Sequence, residues 1–432
     1  MAETGFASMR LLAAVIGVAT LATACSSSQR GTEDTAAQSA EQPIAEAPRT
    51  LDDPTVDTNS VVGAAPTASE APVQRPGVVF PSTDGTPAVD TEISDVELGD
   101  VVFDTFGRGP LTLETATADQ RVRLLDAIPP IDAPFYVLPT EDDWLLPDDA
   151  VLGFVAADGQ PIAYPHKILN FHEIVNDVLG GVPVLVSYCP LCNSGVVYRR
   201  EPDDLRQAAP LTFSNTSALY DNDLVMVDRE TGTYWWQVAG VGIVGTLTGA
   251  RLPVLPSTTT TWAQWLELHP DTFVLSRNTG FARDYTIDPF LDYPAAVDAG
   301  LFSFPVDEDA LANDRLGRAT RVVGVEAGTE AVAVPLEGGS PATAMVAVAD
   351  GPIAVFTDGA GSGAAFFAGD DAFSVSANGW VDSATGSTWN LAGTAVAGER
   401  AGDQLEQAPS RQTFWFAYVA AFPGAMVVLP VG

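Results

Sequence analysis

The chain has 432 residues, 46% of them hydrophobic, with 56 acidic against 20 basic side chains and a formal net charge of -36. That length can hold a large core and more than one structural unit. The charge excludes nucleic acid and anionic lipid headgroups as electrostatic partners; lysine occurs once, at Lys167.

The first 25 residues read as an export signal. Arg10 precedes an apolar run, Leu11 to Leu21, which has the length of a signal core and is too short for a membrane span. Leu21-Ala22-Thr23-Ala24-Cys25 resembles a lipobox, with Ala22 where a large aliphatic is usual, and predicts lipidation of Cys25. The expected location is extracytoplasmic, with the membrane as partner through that anchor. A plain cleaved signal is the alternative. No later run is long and apolar enough to span a membrane. Residues 26–76 are mostly Ala, Thr, Pro, Ser, Glu and Asp, and no aromatic occurs between Phe6 and Phe80. Such a segment cannot offset its ordering entropy and predicts a disordered acidic linker.

The globular part is expected from residue 77. Residues 77–149, rich in Pro and Asp, predict short strands and loops with one short helix near Ala118–Ala127. The rest carries a repeat. Asp228, Thr231, Gly232 and Trp235 match Asp382, Thr385, Gly386 and Trp389. Six further positions recur without a gap: Gly245, Gly249, Leu252, Pro256, Trp262 and Pro270 match Gly398, Gly402, Leu405, Pro409, Trp415 and Pro423. Earlier, Gly153, Gly159, Ala163 and Pro165 match Gly324, Gly328, Ala333 and Pro335. We read two related units from an internal duplication, at 150–276 and 321–430, joined by residues 277–320.

The expected fold class is mainly β with short helices (α+β). Val184–Tyr188, Gly195–Arg199, Leu224–Asp228 and Tyr234–Val238 are short β-branched or aromatic runs bounded by Gly, Pro or Asp. Asp228 to Gly232 predicts a hairpin turn. Each unit then closes with a helix carrying Trp262 and Trp265, or Trp415 and Tyr418. His269 reads as a packing position, because Phe422 is its match; His166 is expected to face solvent. Phe171, Ile174, Val175, Val178 and Leu179 follow helical spacing, with Gly180-Gly181 as the stop, which places His172, Glu173, Asn176 and Asp177 together on a polar helix face.

The second unit lacks that chemistry. Opposite the polar face it has Pro341–Val348, and opposite Cys189-Pro-Leu-Cys192 it has Asp358-Gly-Ala-Gly361. The residues that could react lie in one unit only, which predicts a functional first unit and a degenerate, structural second one.

The run Ala163-Tyr-Pro165, Ile168-Leu-Asn-Phe-His172-Glu-Ile-Val-Asn-Asp177, Val184-Leu-Val-Ser-Tyr-Cys189-Pro-Leu-Cys192 resembles the bacterial family called domain of unknown function 3179. The likeness continues through Val225-Met226-Val227-Asp228-Arg229 and His269-Pro270-Asp271 and covers about residues 120–335. His166 departs from the aliphatic residue expected after Tyr164-Pro165. The resemblance implies kinship with exported and lipoprotein members and no activity.

Three chemistries fit the Cys/His block. Cys189, Cys192 and His172 could ligate a transition metal, Cu or Zn, since soft thiolates with an imidazole suit either; Glu173, Asn176 and Asp177 would support them. The same cysteines could cycle as a dithiol and disulfide. They could also form a stable structural disulfide in an oxidising compartment, within a ligand-binding or scaffold lipoprotein. No nucleophile elbow, phosphate loop or dinucleotide fingerprint occurs, so no cofactor-binding and no catalytic residue is assigned and enzymatic activity stays open.

Overall fold

A computed structural model describes residues 85–203, 209–328 and 330–432. The signal segment, Cys25 and the whole linker lie outside the described residues. The architecture is mainly β with short helices. The expected early helix spans Ala118–Leu124. Thr117 caps it: its hydroxyl accepts from Gln120 N at 3.3 Å, and Gln120 Oε1 accepts from Thr117 N at 2.9 Å. No helix among the described residues is long and apolar enough to cross a membrane.

The repeated residues occupy matching places. In the first unit Ala150–Val155 pairs with Pro161–Pro165, setting Gly153 opposite Ala163. In the second Arg321–Ala327 pairs with Glu330–Pro335, setting Gly324 opposite Ala333. Each hairpin gains a parallel strand on its second arm, Phe273–Leu275 or Met426–Val427. The helices Trp262–Leu268 and Trp415–Ala421 precede those strands. Trp265 lies on Gly153 and Tyr418 on Gly324, and a Cβ at either glycine would collide with the ring. His269 packs on Trp265 (centroids 4.1 Å apart) as Phe422 packs on Tyr418 (5.0 Å).

The Asp-Thr-Gly-Trp corner also recurs. Asp228 accepts from the Trp235 indole at 2.9 Å and from Thr231 N at 2.6 Å. Asp382 accepts from the Trp389 indole at 2.9 Å and from Thr385 N at 2.6 Å. Both tryptophans are fully buried, so each indole N–H needs this acceptor. Asp228→Ala and Asp382→Ala are each expected to cost about 1–3 kcal/mol. Chemical denaturation measures this; a near-zero value for either would mean that its turn holds without the carboxylate.

The largest sheet joins strands from both units. Its order runs Met426–Val427, Glu330–Pro335, Arg321–Ala327, Arg411–Phe414, Ser194–Arg199, Val182–Cys189 and Ile174–Leu179. Val254–Leu255 also pairs with Ser194–Arg199.

The helix expected over Phe171–Leu179 is not there. A helix spans His166–His172 and ends at Glu173, whose φ is 57°. Ile174–Leu179 is a strand, paired from Ile174 opposite Ser187 to Leu179 opposite Val182. Gly180 and Gly181, at φ 55° and 81°, form the two-residue hairpin turn that a primed turn demands, and do not cap a helix. Ile174, Val175 and Val178 are β-branched, and the strand is buried on both faces. A run apolar on both faces can mimic helical spacing.

Candidate metal centre

Cys189 ends the strand Val182–Cys189 and pairs across the turn with Ser194. Cys192 sits inside the turn, whose backbone is held from the second unit: Phe414 N and Thr413 Oγ1 donate to the Cys192 carbonyl at 2.9 and 3.0 Å. Both side chains enter a core that contains Phe213, Trp235 and Phe414. The two sulfurs are 3.1 Å apart and are free thiols.

A third group completes the cluster. Asp223 follows the tight turn Asp221-Asn222, both at positive φ (51° and 60°), and opens the strand Asp223–Asp228. Asn222 is pinned by donating to Tyr293 Oη at 3.1 Å and accepting from Phe304 N at 3.0 Å. Cys192 Sγ donates to Asp223 Oδ1 at 2.8 Å, and Val238 N donates to Oδ2 at 2.8 Å. One ligand atom from each of Cys189, Cys192 and Asp223 falls within 4.8 Å of the others, and all three residues are buried.

A model of the family described as "Protein of unknown function (DUF3179)" matches residues 125–425. The chain belongs to that family. The DUF3179 match runs through both units and contains the whole thiol cluster. No curated protein and no solved structure matches the chain.

In this DUF3179 protein His172 is not part of the group. Its Nδ1 lies 2.7 Å from the Pro129 carbonyl, which can only accept, so Nδ1 carries the proton. Nε2 therefore accepts from Tyr285 Oη at 2.6 Å, and Tyr285 Oη is 2.6 Å from Thr279 Oγ1. Burial pushes the imidazole down to about 4, so it stays neutral. With both ring nitrogens engaged, His172 orders the 279–285 loop against the helix end.

The three supporting groups also separate. Asn176 and Asp177 are neighbours on a strand and face opposite ways. Asn176 accepts from Phe213 N at 2.9 Å and donates to Asp132 Oδ1 at 2.8 Å. Asp177 accepts from Tyr136 Oη at 2.7 Å. Glu173 is buried and accepts from Asn215 Nδ2 at 2.6 Å. Burial pushes it up to about 8, an effect that Asn215 opposes and the Asp223 charge reinforces. His166, expected in solvent, is 8% exposed and packs its ring 4.3 Å from that of Tyr188.

Burial also dominates the thiol cluster. It pushes the Cys189 thiol up and the Cys192 thiol further, with Asp223 reinforcing both. Burial raises Asp223 to about 6, against the hydrogen bonds from Cys192 and Val238 N. Both thiols are therefore held in the protonated form. Asp223 escaped the sequence analysis because carboxylates are abundant in this chain. One signal was available: the residue 154 places later, at the offset of the Asp-Thr-Gly-Trp corner, is Ala377.

Proposed function

We propose that this protein binds a transition-metal ion through Cys189, Cys192 and Asp223, as an exported protein anchored through Cys25. The convergence of three buried ligand atoms within 4.8 Å carries the reading. Two thiolates and a carboxylate suit Zn(II), with Cu(I) held by the thiolates alone as the second ion. Tetrahedral Zn–S bonds would place the sulfurs roughly 3.8 Å apart, so the pair must open by roughly 0.7 Å. Uptake releases the thiol protons, so affinity rises with pH. The export and anchoring rest on the signal-like N-terminus and the lipobox-like Cys25.

A dithiol–disulfide pair is the second reading, favoured by the 3.1 Å sulfur separation. Burial opposes it, because a thiol held protonated is a poor nucleophile. Metal analysis and thiol titration of the reduced full chain separate the two. We expect one metal ion per chain, lost in Cys192→Ser, weakened about 10–100-fold in Asp223→Asn and retained in His172→Ala. A metal-free protein whose disulfide cycles under mild reductant would replace the metal reading with the redox one. A metal-free disulfide that resists reduction would leave only a structural role.

A further inference from the structure

A cavity of about 470 Å³ lies beside the thiol turn, with Tyr188, Pro190 and Asn193 in its wall. His166 and Asn170, one helical turn apart on the helix His166–His172, also line it. They are 8% and 7% exposed. His166 Nε2 and Asn170 Oδ1 are buried and have no hydrogen-bond partner. Orphaned buried polar atoms are rare and costly, and two on residues that line one cavity point to a missing partner.

The chemistry of that partner can be read from the wall. Asn170 Nδ2 donates to Asp288 Oδ1 at 3.0 Å, which fixes the amide orientation and leaves Oδ1 as an acceptor in want of a donor. Burial, reinforced by the Arg321 charge, keeps His166 neutral, pushed down to about 3, so its Nε2 accepts when the ring proton sits on Nδ1. The charge in the wall is negative. Lys167 is spent on Asp149 at 2.7 Å, whereas Asp148 and Asp288 have no ion pair among the described residues. The lining also includes the apolar side chains of Pro190, Phe290 and Leu291. A bare metal ion would leave that apolar wall unused, and the metal-ligand group among the described residues lies elsewhere, at Cys189, Cys192 and Asp223.

We infer that this cavity binds a small organic ammonium ion, whose N–H groups donate to Asn170 and His166, whose charge faces Asp288 and whose hydrocarbon part lies on Pro190, Phe290 and Leu291. This site is independent of the metal reading. Its occupant would touch the turn that carries the thiols, without contacting the buried sulfurs.

The test is calorimetric titration of the full chain with n-butylammonium, n-butanol and butyrate. Saturable binding of the ammonium is expected, with n-butanol at least about ten-fold weaker and no binding of butyrate. Asp288→Asn and Asn170→Leu are each expected to weaken the ammonium about ten-fold. Should Asp288→Asn fail to fold, Asp148→Asn at the exposed rim reports the charge instead, with weaker binding expected. Cys192→Ser should bind n-butylammonium as the parent does, which separates a failure here from a failure of the metal site. Absence of saturable binding, equal binding of n-butanol, or parent-like affinity in the folded charge and Asn170 variants would overturn the inference.

Discussion

Arg411→Leu is expected to destabilise the protein by about 3–5 kcal/mol. Arg411 is 4% exposed on the strand Arg411–Phe414, where the two units share a sheet. Its Nη2 lies 2.7 Å from Glu326 Oε2, and its Nη1 donates to Tyr198 Oη at 3.1 Å and to the Val238 carbonyl. Removing the guanidinium alone strands a largely buried carboxylate and weakens the hold on a buried carbonyl, and such uncompensated groups account for most of the loss. The double variant Arg411→Leu/Glu326→Leu should recover much of it, because no buried charge is then left unpaired. Val238 N is the donor to Asp223, so the single variant is also expected to loosen the thiol cluster. Urea unfolding of parent, single and double variants measures the first effect. A single variant within about 1 kcal/mol of the parent would mean that water reaches Glu326 and the pair contributes little.

Glu173→Gln is expected to stabilise the metal-free protein at about pH 9 by on the order of 3 kcal/mol and to flatten its alkaline decline. Glu173 has an ordinary value of 4.5 and about 8 in the fold, raised by burial. Between those values the folded chain binds a proton that the unfolded chain does not. Its contribution is complete below 4.5 and is lost as pH rises through 8. Asp223, raised from 3.8 to about 6, adds a loss in the same direction at lower pH. The buried histidines act oppositely. His166 and His172 fall from 6.5 to about 3 and about 4, so their contribution is complete above 6.5 and is lost as pH falls. The parent should therefore be most stable between these limbs. Glutamine keeps an acceptor for Asn215 Nδ2 and cannot ionise, so it removes the Glu173 share of the alkaline limb, leaving the smaller Asp223 share and the acid limb. Denaturation midpoints across pH measure this, and an alkaline limb that persists unchanged in Glu173→Gln would refute it.

The matched positions were legible in the sequence because they are residues that backbone geometry and large-ring packing demand. Gly153 and Gly324 must lack a Cβ beneath Trp265 and Tyr418, and Asp228 and Asp382 must hold an indole N–H. The short strands around Cys189 and the closing helices follow from local composition for the same reason. The two units as products of a duplication remain our reading of these matched positions.

Helical periodicity misleads over Ile174–Leu179 because it reports on one buried face, and this strand has two. The segment we match to it, Ala342–Val348, is a strand whose sequence has no helical stripe. A helix would bring His172, Glu173, Asn176 and Asp177 onto one face. A strand sends alternate residues apart, and a left-handed Glu173 turns the chain between His172 and the rest.

The sequence by itself determined that Cys189 and Cys192 lie together, because two cysteines three residues apart are brought together by any tight turn. Only the tertiary structure decided their partner. Asp223 is 31 residues from Cys192 and arrives through the Asp221-Asn222 turn, while His172, closer in sequence, is drawn away by Pro129 and Tyr285. Sequence distance orders contacts only within one element. Between elements the pairing of strands and the demand that every buried polar atom find a partner decide which side chains meet.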